Sequence, residues 1–280
     1  MKKNSYVVMH SDYVDQHIGE VSQALFFNRP FDPRIMRSAE IAHLWTPAGT
    51  KMERLPEMLA AMSGLKELTI RDQVENAALS SMKQGDLPES LERLMISNSL
   101  KTLNWPNVVL PNLKELVALP TIKFSASCFP SLERIYLNPN KNLSNLAEAL
   151  KLPLKALHLL GFPNGGGIFE AIAGADLDEV GLVGARSLID LDGIGKISSI
   201  RSIKLKNLPG LVDIGGLKDL TKLRSVNIQY CNKVRNLEIL NDIPGIEKLI
   251  IIGALSDDAV KLEPRLQKVM DESIGPAKPA

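Results

Sequence analysis

The sequence predicts an α/β solenoid in which stacked repeats each supply one strand of a parallel sheet and one return segment. The first observation is a phrase. Leu154-Lys-Ala-Leu157-His-Leu159 returns as Leu177-Asp-Glu-Val180-Gly-Leu182, Ile200-Arg-Ser-Ile203-Lys-Leu205, Leu223-Arg-Ser-Val226-Asn-Ile228 and Ile246-Glu-Lys-Leu249-Ile-Ile251, with first residues 23 positions apart each time. A fixed period in the twenties, reading apolar-x-x-apolar-x-apolar, belongs to architectures whose units bury their apolar face only by stacking. The second observation is composition. The 280 residues are 45% hydrophobic and 23% charged, enough for a packed core, and an array that grows in one dimension needs no division into several domains.

Composition also excludes function classes. A net charge of +1 gives no global drive toward nucleic acid or anionic lipid. The longest apolar run, around Leu249 to Ile252, is far too short to cross a bilayer. Lys2 and Lys3 imitate the start of an export signal, but His10, Asp12 and Asp15 interrupt any apolar stretch of useful length. With only Cys128 and Cys231, paired-cysteine end caps are not expected, and a reducing cytoplasm fits best.

In chain order, residues 1–40 are expected to form an N-terminal cap. Tyr6 to Met9 is a β-prone run, and Asp12 is placed to cap a helix carrying Val14, Ile18, Val21 and Leu25 on one face. Arg29-Pro-Phe-Asp-Pro33 is a turn-rich join. The solenoid itself is assigned to residues 41–255. Its first strand starts at Ile41-x-x-Leu44 or, equally well, in a register from Ala39 that turns Trp45 to a different face. Leu65-Lys-Glu-Leu68-Thr-Ile70, Leu91-Glu-Arg-Leu94-Met-Ile96, Leu113-Lys-Glu-Leu116-Val-Ala118 and Leu132-Glu-Arg-Ile135-Tyr-Leu137 follow. The steps from Leu65 to Leu154 are 26, 22, 19 and 22 residues, so the return segments there must differ in length. About ten strands at roughly 4.8 Å spacing make a surface on the order of 45 Å long. Residues 256–280 are assigned to a capping helix, with Ser256 as its cap and Val260, Leu266, Val269 and Met270 over the last repeat, and a loose tail from Gly275. Pro264 is a potential kink.

On these motifs the chain resembles bacterial leucine-rich-repeat proteins, a solenoid with a parallel concave sheet. Leu87-Pro-Glu-Ser-Leu91-Glu-Arg-Leu94-Met-Ile96-Ser-Asn98 is similar to the L-P-x subclass known from host-targeted effectors of enteric pathogens. That match is good in one repeat and weak elsewhere. Where the family consensus places Asn after the strand, this chain has Ser99, Asn140, Phe162, Ala185, Leu208 and Cys231, so an Asn ladder is incomplete. The ubiquitin-ligase activity of some L-P-x effectors resides in a large domain after the repeats, for which this chain has no room.

Candidate sites follow from strand alternation, which sends the leucines inward and the residues between them to the concave face. Met95, Val117, Leu119, Tyr136, Leu160 and Val183 put apolar groups where a monomer with no partner gains from polar ones, and Arg134 and His158 stand among them. Lys204, Lys206 and Lys248 make the C-terminal end of that face basic, suited to an acidic patch on a protein partner. Nucleic acid is the weaker alternative, since Tyr230 is the only stacking residue nearby. His10, Asp12 and His17 follow no metal-ligand spacing, and Phe162-Pro-Asn-Gly165-Gly166-Gly167 lacks the Lys-Ser/Thr of a phosphate loop. Cys128 and Cys231 read as buried apolar groups. No catalytic, cofactor or metal site is expected. The resulting reading is a non-enzymatic protein-binding solenoid, first of all a bacterial inhibitor or immunity protein, alternatively a host-directed effector without a catalytic domain, and distantly an enzyme.

Overall fold

The computed structural model describes residues 5–9, 23–26, 33–45, 52, 54–71, 74, 76–97, 101–162, 167–253 and 262–274. The chain divides into two compact units, Met1–Asn138 with Lys151–Pro153, and Pro139–Leu150 with Leu154–Ala280.

In the first unit, β1 (Ser5–Met9), β2 (Gln23–Phe26), β3 (Ile41–Trp45), β4 (Glu67–Arg71), β5 (Arg93–Ser97), β7 (Glu115–Ala118) and β9 (Arg134–Leu137) form a parallel sheet in the order β9-β7-β5-β4-β3-β1-β2. A separate two-stranded parallel sheet pairs β6 (Thr102–Asn104) with β8 (Thr121–Lys123). Leu68, Ile70, Leu94, Ile96, Leu116, Ala118, Ile135 and Leu137 are buried, so the fourth and sixth residues of each motif fill the core. The open register at the first repeat is settled by pairing: Ala42 faces Leu68 and Leu44 faces Ile70, so the motif begins at Ala39, which is itself buried. The Trp45 side chain lies outside the described residues. Leu25, expected on a helix, is in β2 opposite Val8; the remainder of that helix falls outside the described residues.

The second unit holds β10 (Ala156–Leu160), β11 (Glu179–Val183), β12 (Ser202–Lys206), β13 (Ser225–Gln229) and β14 (Lys248–Ile252), parallel and sequential. Register pairs Leu157 with Val180, Val180 with Ile203, Ile203 with Val226 and Val226 with Leu249, in step with the 23-residue period. All ten strands expected from the motifs are present. The helices are short: α1 (Pro33–Ser38), α2 (Asn76–Ser80), α3 (Ser144–Ala149) and α4 (Gly167–Ala171) lie between strands. α5 (Pro264–Ile274) packs against β14, burying Leu266, and Ser273 Oγ accepts the Leu249 amide at 3.1 Å. Pro264 therefore opens this helix rather than kinking it, a position where its missing N–H removes nothing. Ser256 and Val260 lie outside the described residues.

Strand entry is held in the same way throughout each unit. The carbonyl of the motif's second residue accepts two successive amides of the next repeat: Glu92 and Arg93 on Lys66, Lys114 and Glu115 on Glu92, Arg201 and Ser202 on Asp178, Arg224 and Ser225 on Arg201. Charged side chains at that phase pair across strands, as Lys66 with Glu92 at 2.7 Å and Lys114 with Glu133 at 2.9 Å. Both partners are exposed, so each pair contributes at most about 1 kcal/mol. The fold is a leucine-rich-repeat solenoid of the α/β type.

Candidate functional site

The face opposite the core carries three rows of side chains in each unit. In the first unit the middle row runs His43, Thr69, Met95, Val117, Tyr136, each in register with the next. Met95 and Tyr136 are half-buried, and Val117 is only 8% exposed, a β-branched side chain closed in by its larger neighbours. The row before it is ionic. Arg93 reaches Glu115 at 3.1 Å and Glu67 at 3.7 Å, and Arg134 stands opposite Glu115 in β9. Leu119 follows β7 directly, donates its amide to the Ile96 carbonyl at 3.0 Å and remains 44% exposed. A large apolar group, a half-exposed tyrosine and an alternating ion-pair row thus share one surface.

His43 is not legible as a site residue in the sequence, because the register of the first repeat is open between Ile41 and Ala39. In the observed register it joins the middle row, and burial, then the nearby Arg71 charge, pushes its pKa below the ordinary 6.5. Its Nδ1 is buried and has no hydrogen-bond partner among the described residues.

In the second unit the middle row is His158, Gly181, Lys204, Asn227, Ile250. Gly181 leaves a gap in it. A Cβ there would collide with the imidazole of His158, so the ring lies directly on the Gly181 backbone and is only 2% exposed. From opposite sides of the gap, His158 Nε2 comes within 2.9 Å of Glu179 Oε1 and Lys204 Nζ within 2.6 Å of the same oxygen. Glu179 is the member that sequence reasoning missed; the signal was available, since residues two apart on neighbouring strands are diagonal neighbours on one face. The cluster organises charge rather than chemistry: the imidazole is shut off from solvent, and one nitrogen is turned to a carboxylate. Because Lys204 is paired, the open charge of this face rests on Lys206 and Lys248, which are exposed and have no carboxylate partner among the described residues. Leu160 and Val183 sit half-buried in the third row.

The alternative sites fare as follows. Cys128 and Cys231 are buried, and burial raises both thiol pKa values, which keeps them protonated and weakly nucleophilic. Among the described residues no group of three His, Cys, Asp or Glu side chains is placed to hold a metal. His10, Asp12, His17 and residues 163–166 of the glycine-rich stretch lie outside the described residues. No helix among the described residues is long and apolar enough to cross a membrane.

No protein-family model matches the chain, and no curated protein matches it. Solved structures similar to it include a leucine-rich-repeat protein of Leptospira interrogans, at 15% identity and a TM-score of 0.44, covering 84% of this chain and 60% of that one. An internalin, InlF, of Listeria monocytogenes is similar at 15% identity and a TM-score of 0.46, covering 90% of this chain and 73% of that one. The chain thus spans about 60% of the length of the leptospiral protein.

Proposed function

We propose that this chain is a non-enzymatic protein-binding solenoid, in the first place a bacterial inhibitor or immunity-type protein of the cytoplasm that acts by occupying its partner. The supporting observation is the face of the first unit, where Met95, Tyr136 and the exposed Leu119 flank an ordered ion-pair row. Such a surface offers apolar anchors with a polar surround, the anatomy of an interface. Lys206 supplies charge for an acidic partner. Membrane and nucleic acid are not the expected targets, since nothing in the +1 net charge favours either.

The test is recovery of the partner by purification from the native cell, followed by binding kinetics. Tyr136→Ala is expected to weaken partner binding by about 2 kcal/mol and to shift unfolding stability by less than about 1 kcal/mol. Full affinity in that variant together with Met95→Ala and Leu119→Ala would move the site off this face. Recovery of a secretion chaperone, or of a host protein, would instead favour the host-directed effector suggested by Leu87-Pro88.

A further inference from the structure

Every strand of the second unit is followed by a residue with a left-handed backbone: Gly161 (φ 65°), Gly184 (φ 72°), Asn207 (φ 53°), Tyr230 (φ 54°) and Gly253 (φ 59°). The conformation has a purpose. It aims the amide of Gly161 at the Val183 carbonyl (2.7 Å), Gly184 at Lys206 (3.0 Å), Asn207 at Gln229 (2.9 Å) and Tyr230 at Ile252 (2.7 Å), tying each repeat to the next. Glycine adopts it without steric cost and asparagine tolerates it, whereas a bulky side chain is strained there. Tyr230 is the exception in the column. It is also 53% exposed, so burial does not offset the strain. The ring lies over Gly253, where a Cβ would come within 3.0 Å of Tyr230 Cδ1, and is held in place by that contact. Strain kept at one position of an otherwise glycine-rich column marks a side chain retained for something other than the fold.

Beside that ring is a cleft of about 350 Å³ lined by Gly184, Arg186, Asn207, Pro209 and Tyr230. Its lining carries one charged side chain, that of Arg186. Arg186 in the loop after β11, Lys206 at the end of β12 and Lys233 in the loop after β13 have no carboxylate partner among the described residues. Lys155, Lys196, Arg201, Lys204, Lys218 and Arg224, elsewhere in this unit, are ion-paired, whereas Lys141, Lys222, Arg235 and Lys248 share the lack of a carboxylate partner among the described residues. The carboxylates Asp190 and Asp213 of the same loops are engaged by the amides of Asp192 (3.1 Å) and Gly215 (2.6 Å).

We infer that this cleft docks an extended acidic segment of a partner protein, with Arg186 and Lys233 each taking a carboxylate and the Tyr230 ring packing on the chain between them. The spacing suits it. Loops two strands apart are separated by about 9.6 Å, and residues three apart in an extended polyproline-type segment by about 9.3 Å. A polynucleotide would call for a continuous basic track; here the cations Arg186, Lys206, Lys233 and Arg235 are separated along the loops and share them with Asp190, Asp192 and Asp213, in a chain whose net charge is +1. The inference rests on the protein-binding reading for the class of partner, but it uses a different surface.

The experiment is fluorescence anisotropy of the full chain with a fluorescein-labelled Gly-Glu-Pro-Pro-Glu-Gly peptide at low salt. Saturable binding is expected, absent for the Gln-Pro-Pro-Gln counterpart, and weakened about fivefold or more by Arg186→Ala and by Tyr230→Gly. Because glycine suits the backbone at that position, Tyr230→Gly should melt at or above the temperature of the parent. A lower melting temperature would assign the ring to the fold and overturn the inference. So would unchanged peptide affinity in both variants, or tighter binding of a labelled oligothymidylate of equal length with the same Arg186 dependence. Tyr136→Ala keeps the peptide affinity of the parent if the cleft is the site. Loss of partner binding in Tyr136→Ala with none in Arg186→Ala or Tyr230→Gly would leave the protein-binding reading standing without this inference.

Discussion

The second unit returns a strand every 23 residues, whereas the first takes steps of 26, 26, 22 and 19 from Ala39 to Leu132. Their strands nevertheless enter the sheet with the same paired amides and bury the same motif positions. The difference is carried by the return segments. In the second unit, 3₁₀ turns at Ile194–Lys196, Gly215–Asp219 and Leu237–Asp242 follow one another at nearly the same phase. In the first, the return side contains a 3₁₀ turn at Glu57–Leu59, α2 and the β6–β8 pair, and Phe129 packs at a tilt of 55° against both Trp105 (5.2 Å between centroids) and Phe124 (5.5 Å). Parallel strands have one spacing, so the strand side tolerates no variation. The return side tolerates whatever fills its volume.

If the two units share one core logic, a charge at an equivalent position should cost the same in each. Val180→Asp in the second unit and Leu94→Asp in the first are each expected to destabilise by about 3 to 5 kcal/mol, since both side chains are fully buried. Urea unfolding checks this, and a soluble Leu94→Asp protein unfolding like the parent would break the equivalence. The next effect belongs to the second unit alone. Gly181→Ala forces a methyl group into the His158 ring and should cost about 1 to 3 kcal/mol. Adding His158→Ala should return most of that loss, and a double-mutant cycle showing simple additivity would mean that the ring is not what the glycine accommodates.

A smaller effect separates two lysines that the sequence treats alike. Lys206→Glu and Lys204→Glu each change the charge of the face by two and are each expected to slow association with an acidic partner a few-fold at low salt, but only Lys204→Glu should also cost stability, because it sets a second carboxylate beside Glu179. Stopped-flow rates at two ionic strengths check the slowing and urea unfolding the stability, and equal stability of the two variants would sink the distinction. The smallest effect concerns His43 in the first unit. Its folded pKa lies below the unfolded 6.5, so its contribution to stability is fully present above that value and is lost progressively as pH falls through 6.5 toward the folded pKa. His43→Gln should flatten the decline of stability with acid over that window, as read from urea midpoints at stepped pH.

The strands were legible because their signal is local and repeated: Leu154 to Ile251 give both phase and face without any long-range information. The register of the first repeat was not, since Ala39 and Ala42 are small enough to leave the apolar pattern ambiguous until β3 is paired with β4. The β6–β8 pair is not legible in the sequence, because three-residue strands carry too few alternations to distinguish from loop. On the exposed face, the rows themselves were readable, but the coupling across them was not. Glu179 was one polar residue among many until Gly181 removed the side chain between His158 and Lys204. Tyr230 was visible as an aromatic residue; its strain emerges only from comparison with Gly161, Gly184 and Gly253 at the same phase.

The order β2-β1-β3 sets a timetable for synthesis. Every other neighbouring pair in the main sheets of the two units joins a strand to the next one in its sheet, so each new strand can dock on an edge already made. β1 is different: its two neighbours are both made later, and β3 pairs with it through Ser5 opposite Ile41, across some three dozen intervening residues. On a ribosome β1 can be joined on one side by β2 as soon as Phe26 emerges, but its other edge must stay vacant until Trp45 is clear of the tunnel. The earliest-made of these three strands is therefore the last of them to have both edges covered. An emerging chain of this kind would need its early edge shielded for several seconds at ordinary rates of elongation.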